Sequence, residues 1–454
     1  MIKKQIEEGR KDFLNILRRL IKRDFSGNAG IAIKNSAYQF STGIVAKAGS
    51  LIFTIILARI LLPELFGLYT LALSTILFFA AFSDLGIGDT LVRFVSRELG
   101  KGNISKAMSY SKYLIKIKIF VTAVVSLILI LLSKIIAENY YHKPIYLALL
   151  AGGLYIFIAG FVVILQSILQ AHNIFKPIFY RELLFQSARL IIIPMLILFA
   201  IKNSLSDQNI IFLIIISLDV AYLLIVGLFY LFLRGNIFKL DNSKQKLSKR
   251  DKKRVNRFIL IISFTILSGI FFGYMDVVIL GYFVSSEYIG YYQGAFSFIS
   301  AIVPLITFSS ALLPIFSRLQ KRKTQDFLKK AVKILSIISI LCFLFLFLAS
   351  KYLVLLLFGA AYYNSINILR IFSLLLLTIP VITIYSTYFT SSGRPGIVSM
   401  LLAISTTINL TLIYLFISYL IKYNPLYAVY GTAIATVISR YLFMFMLMIY
   451  KRKN

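Results

Sequence analysis

Seven ionisable residues stand inside otherwise apolar runs of this chain: Lys47, Arg59, Arg189, Arg370 and Arg440 are cationic, and Asp219 and Asp276 are acidic. A charge at the middle of a bilayer costs about 2.5 to 3.5 kcal/mol on insertion scales, so such residues face a cavity or a partner. The cations suit an anionic ligand such as a phosphate or pyrophosphate headgroup, whose oxygens match the donor fork of a guanidinium. For each of them the alternative is snorkelling or an interhelical ion pair. Asp219 and Asp276 have two open readings, a structural pair with an Arg or a site for a coupling cation, Na+ or H+. Lys116 and Lys118 lie near a helix end and are expected to snorkel.

The elements that must position these charges are membrane helices. With 454 residues and 59% hydrophobic content the chain is more apolar than a soluble domain, where roughly 45 to 50% is usual. At about 20 apolar residues per crossing, twelve spans are expected, at 36–61, 67–89, 113–133, 145–170, 178–201, 209–233, 258–284, 288–316, 331–350, 364–390, 396–421 and 427–450. The weakest of these is around 328–358, where Ser350 and Lys351 interrupt the apolar run. Most of the 49 Lys and Arg fall at the two termini and in every second loop. By the positive-inside rule both termini are then cytosolic in a multi-pass cell-membrane protein. The net charge of +32 is thus a topology signal. Without a basic domain interleaved with aromatics, no nucleic acid is expected as a partner.

Several enzyme classes lack their residues. His142 and His172 fall on opposite sides of the membrane, no Ser-His-Asp set can be assembled, and no P-loop is present. The loops expected outside are short, the longest at 134–144, which leaves no room for a glycosyltransferase or ligase domain carrying metal-binding carboxylates. One cysteine, Cys342, excludes a disulfide within the chain. Neither a cofactor nor a metal is expected, and the chain is read as no enzyme. Asn103-Ile-Ser105 matches a glycosylation acceptor but is placed in the cytosol.

The sequence writes one stretch twice. Laid 223 positions further on, Glu64, Gly67, Tyr69, Ala72 and Ser74 fall on Glu287, Gly290, Tyr292, Ala295 and Ser297. Each copy sits at a break between apolar runs, where Gly permits a close reversal and Tyr can rest at the membrane boundary. The expected fold is all-α and polytopic, with about 12 transmembrane helices in two pseudo-symmetric six-helix bundles around a central cleft. Its parts are a basic amphipathic leader at 1–35, with Ile6, Phe13, Leu17 and Leu20 at helical spacing and no cleavable signal; lobes at 36–233 and 258–450; a basic cytosolic linker at 234–257; and a tail at 451–454. Gly269 and Gly273 read as a small-xxx-small packing motif, and DLGIGD at 84–89 as a kinked or unwound turn.

The segments ARILLPELFGLYTLALS, DLGIGDTLVRFVSRELGKGN, MDVVILGYFVSSEYIGYYQGAFSF, ALLPIFSRL, LLLFGAAYYNSINILRIFS and TSSGRP, in this order, resemble the polysaccharide-export flippases of the multidrug/oligosaccharidyl-lipid/polysaccharide exporter superfamily. The resemblance implies two six-helix lobes and alternating access. It implies movement of a polyprenyl-(pyro)phosphate-linked oligosaccharide from the cytosolic to the outer leaflet, with membrane lipids around it and glycan-assembly enzymes as partners. Lys47 stands where related flippases have a basic cavity residue, and Arg59 matches the family's A-R. An ion-coupled multidrug or metabolite efflux transporter of the same fold is the alternative; its cation-binding cavity would be acidic. A lipid scaffold, which would tolerate loss of every buried charge, is the reading from another class.

Overall fold

The computed structural model describes residues 27–236, 247–306 and 321–453. Among these residues there is no strand. α1 (Gly27–Asp84) is 58 residues long, roughly 87 Å at 1.5 Å per residue and nearly three hydrocarbon thicknesses. It is divided at Leu62, with φ 57° and ψ 173°. Pro63 is the cause: its ring pushes the preceding residue out of helical geometry, while Pro itself fits the first turn of the helix that restarts. α1 ends through Leu85 and Gly86, at φ 44° and 76°, which is the break expected at 84–89.

α2 (Ile87–Leu99) and α3 (Ile104–Lys134) follow. The Asn103 side chain accepts from the Lys106 amide at 3.0 Å, so this residue is a helix cap. α4 (Tyr146–Ala171), α5 (Lys176–Lys202) and α6 (Asp207–Asn236) complete the first half. The second half contains α7 (Lys249–Phe283), α8 (Ser286–Ile306), α9 (Lys321–Leu357), α10 (Ser365–Ser373), α11 (Leu375–Ser391), α12 (Pro395–Leu420) and α13 (Pro425–Lys453). Ten stretches of the described chain are long and apolar enough to cross a membrane. The first, Lys34–Leu99, is 66 residues long and covers the first two expected spans, and α8 falls where the eighth is expected. The interruption at Ser350 and Lys351 does not break α9. Residues 1–26 of the expected leader lie outside the described residues, and 27–35 are already the first turns of α1. Residues 249–257 of the basic linker are already the first turns of α7.

The ends of the bundle differ. We call the end bearing Gly100–Asn103 and the start of α7 the linker face, and the end bearing Leu62, Lys143 and Val284 the far face. On the far face the two halves are sealed together. Tyr362 donates to the Ala58 carbonyl at 3.1 Å, and Lys143 donates to the Gly281 carbonyl at 2.6 Å. Arg59 donates to the carbonyls of Leu356 and Leu357. On the linker face α7 reaches across to the first half, where Tyr110 donates to Asp251 and Tyr113 to Asn256, both at 3.0 Å. At the glycine break between α1 and α2, a Cβ on Gly86 would run into the Ile262 side chain of α7. Gly86 is therefore required both for its positive φ and for its space.

Candidate functional site

A cavity of about 430 Å³ opens in the second half, lined by residues of α7, α8, α11 and α13 that include Gly269, Gly273, Asp276, Tyr292, Gln293 and Arg440. Asp276 is the most tightly held. One carboxylate oxygen, Oδ2, accepts from the Tyr292 hydroxyl at 2.6 Å and from the Thr436 hydroxyl at 2.7 Å. The other, Oδ1, is buried with no hydrogen-bond partner. Arg440 acts on Asp276 electrostatically from the next turn of α13 beyond Thr436. A carboxylate with one oxygen fixed by two hydroxyls and the other left open is a place where a proton or a cation gains most, because an unpaired buried oxygen is costly. Gly269 and Gly273 do not pack helices together, contrary to the motif reading: a Cβ at either would meet nothing within 4 Å. They face the cavity and keep it wide.

The first half carries a different centre at related positions. The repeat places Phe53 where the second half has Asp276, and Tyr69 where it has Tyr292. Arg189 of α5 lies over Phe53, its guanidinium carbon 4.2 Å from the ring centroid, and 5.5 Å from that of Phe185. Tyr69, Tyr155 and Tyr222 lie near it, and the Glu182 carboxylate acts on it electrostatically. Its Nε and Nη2 are buried without a hydrogen-bond acceptor. Stacking on an aromatic face holds such a guanidinium in place and leaves its in-plane donors for an oxyanion. Asp219 of α6 is 1% exposed, with both carboxylate oxygens lacking a hydrogen bond.

The remaining sequence candidates are dispersed. Lys47 lies on the exposed side of α1. Arg59 sits at the far face and caps the C-terminal end of α9, where the unsatisfied carbonyls and the helix dipole favour a cation. Arg370 donates to the Ser350 hydroxyl at 3.1 Å and to the Asn367 side chain at 3.2 Å, tying α10 to α9. Lys118 does not snorkel. It turns inward, 2% exposed, and bonds Asp84 Oδ1 at 2.8 Å and the Ser83 carbonyl at 2.9 Å. A salt bridge to the break after α1 holds it more firmly than a reach toward water would. Lys116 is exposed.

Residue-type reasoning missed Thr436, Tyr274 and Gln293. The two repeat tyrosines, Tyr69 and Tyr292, are 6% and 2% exposed, packed inside their halves. The signal was their identical register in the two copies. Among the described residues no three of His, Cys, Asp and Glu come together as metal ligands.

Two halves of long apolar helices, with a buried ionisable centre in each, make a polytopic helical membrane fold. The structure superposes on the lipid II flippase MurJ in an inward closed conformation with a TM-score of 0.69 and 18% identity, over 92% of this chain and 87% of that one. It also matches an inward-facing multidrug resistance MATE family transporter of the MOP superfamily, with a TM-score of 0.66 and 13% identity over 90% and 95% of the two chains. The eukaryotic MATE transporter AtDTX14 matches at 0.61 and 15% over 93% and 96%. Residues 32–320 match the family model described as polysaccharide biosynthesis protein. The chain belongs to that family. Among curated proteins, none matches it by sequence.

Proposed function

We propose that this protein is a flippase that carries a polyprenyl-(pyro)phosphate-linked oligosaccharide from the cytosolic to the outer leaflet of the cell membrane by alternating access, for cell-surface polysaccharide or glycan assembly. The observation that carries the reading is the cavity wall on which Arg440 and Asp276 stand together, with Asp276 Oδ1 unpartnered. Such a wall offers a cation to the anionic headgroup and an acid to a coupling ion. Membership of the polysaccharide biosynthesis family supports it.

In this reading the lobes are residues 36–233 and 258–450, both termini are cytosolic, and the protein performs no covalent chemistry. Arg189 and Arg440 hold the headgroup phosphates, Lys47 is a further candidate from the exposed side of α1, and Arg59 and Arg370 fix helices around the path. Asp276 binds the coupling Na+ or H+, and Asp219 is the corresponding candidate in the first lobe. The lipid tail stays in the bilayer. Glycan-assembly enzymes supply and consume the carrier on the two sides.

The likeness to MATE transporters favours a second reading, ion-coupled efflux of drugs or metabolites. Reconstituted vesicles separate the two. The flippase reading expects protein-dependent exposure of a lipid-linked oligosaccharide to a sugar-modifying enzyme confined outside. Drug export with no glycolipid movement would replace it with the efflux reading.

A further inference from the structure

A second pocket, of about 160 Å³, lies between α2 and the start of α7 and is lined by Arg93, Arg97, Arg254, Arg257, Phe94 and Phe258, with Ile261 at its edge. We propose that it is a binding site for a phosphate or pyrophosphate group, clamped between the two halves of the molecule on the linker face. The site lies apart from the cavity at Asp276, and the inference stands whatever the cleft carries.

The geometry begins in the sequence. Arg93 and Arg97 are four residues apart on α2, and Arg254 and Arg257 three apart on α7, so each helix presents a pair of guanidinium groups on one face. The two faces meet. Like charges 4 Å apart repel by about 1 kcal/mol in bulk water, and four solvent-exposed guanidinium groups around one pocket favour an anion there. Among the described residues no carboxylate pairs with any of the four. Of the acids near the pocket, Glu98 bonds Lys101 at 3.3 Å, and Asp251 bonds Lys106 at 3.3 Å and the hydroxyls of Tyr110 and Ser248; Asp89, one turn before Arg93 on α2, forms no salt bridge with it among the described residues.

The pocket is also preorganised. The Arg93 guanidinium carbon lies 4.2 Å from the centroid of the Phe258 ring, which fixes its plane and leaves its donor fork for bidentate contact with phosphoryl oxygens. The small space suits a phosphoryl group and excludes a sugar chain. One half supplies α2 and the other α7, so an anion bound to both pairs favours the arrangement in which they approach. Two sources present this chemistry, an anionic phospholipid headgroup and the phosphates of a lipid-linked sugar carrier.

The test is calorimetric titration of inorganic pyrophosphate into the full chain held in phosphatidylcholine nanodiscs at low salt. Wild type should bind saturably, and Arg93→Gln with Arg257→Gln should weaken binding about tenfold or more, since a hydrogen bond from a guanidinium to a phosphoryl oxygen is roughly twice as strong as one between neutral groups. The paired Lys variant should fall in between. The Gln variant should melt no lower than wild type, because it relieves repulsion. If it fails to fold, the single variants Arg97→Gln and Arg254→Gln carry the same test. Competition by phosphatidylglycerol in the disc assigns the site to membrane headgroups; competition by a soluble short-chain polyprenyl pyrophosphate, with none by phosphatidylglycerol, assigns it to the carrier. Equal affinity in wild type and Gln variants, or no saturable binding by wild type, would overturn the proposal. The readout is binding alone, so a negative transport assay leaves it intact.

Discussion

Gly67 and Gly290, the glycines of the two repeats, meet across the seam between the halves: a Cβ on Gly67 would lie 3.0 Å from the Gly290 nitrogen. The relationship is reciprocal. That Cβ would overlap the Ser286 carbonyl oxygen, and one on Gly290 would overlap the Pro63 carbonyl oxygen, and Pro63 and Ser286 are themselves repeat equivalents. Equivalent residues approaching each other in the same way about an axis is what a two-fold interface requires. Gly67→Ala and Gly290→Ala should each lower stability by about 1 to 3 kcal/mol, the usual cost of overpacking. They should also pry open the far face. Thermal unfolding reads the first effect, and thiol labelling of a cysteine introduced at Ala58 reads the second, faster in the Gly variants than in the Ala58→Cys parent.

Asp276 should govern any ion dependence of transport. Asp276→Asn keeps the shape and the acceptor for Tyr292 and Thr436 but removes the charge, so transport should lose its response to a Na+ or pH gradient while the protein still folds. Tyr292→Phe, which removes one buried hydrogen bond to a charged group, should cost about 1.5 to 3 kcal/mol of stability and retain the ion response. Flux measured across imposed gradients separates the two. An unchanged gradient response in Asp276→Asn would remove Asp276 from the coupling role.

Lys118 and Asp84 form a pair whose disruption is expected to be lopsided. Lys118→Met leaves Asp84 partly exposed to water, since its side chain is 33% accessible. Asp84→Asn leaves a buried ammonium and should cost about 3 kcal/mol or more, as breaking a buried pair does. Asp84→Leu with Lys118→Met should recover most of that loss. Chemical denaturation of the three variants checks the order.

Much of this molecule could be read from residue types. Long apolar runs set the helices, the glycines of 84–89 marked one break, and Gly67 with Gly290 marked the duplication; the break at Pro63 was not read. Charges in apolar runs led to Arg189, Arg440 and Asp276. What stayed hidden has a common cause: which way a residue on a membrane helix faces. Gly269 and Gly273 have the spacing of a packing seam, but the same spacing lines a cavity. Thr436 looks like any helical threonine, and its hydroxyl also lies 3.1 Å from the Thr432 carbonyl. Tyr292 is one of 28 tyrosines. Arg59 reads as a cavity cation, yet the carbonyls it caps belong to a helix some 300 residues away, and no local pattern announces that. The four arginines of the α2–α7 pocket resemble the topology signal around them until two helices bring them together.

The most direct measurement is the rate at which a lipid-linked oligosaccharide crosses between leaflets in reconstituted vesicles, compared for wild type, Arg189→Gln and Arg440→Gln at equal protein content and confirmed folding. The account predicts protein-dependent transfer in wild type and a loss of about tenfold or more in each variant, the scale of one charge-assisted phosphate contact. Transfer at the wild-type rate in both variants would contradict it, since the headgroup would then cross without the two buried guanidinium groups.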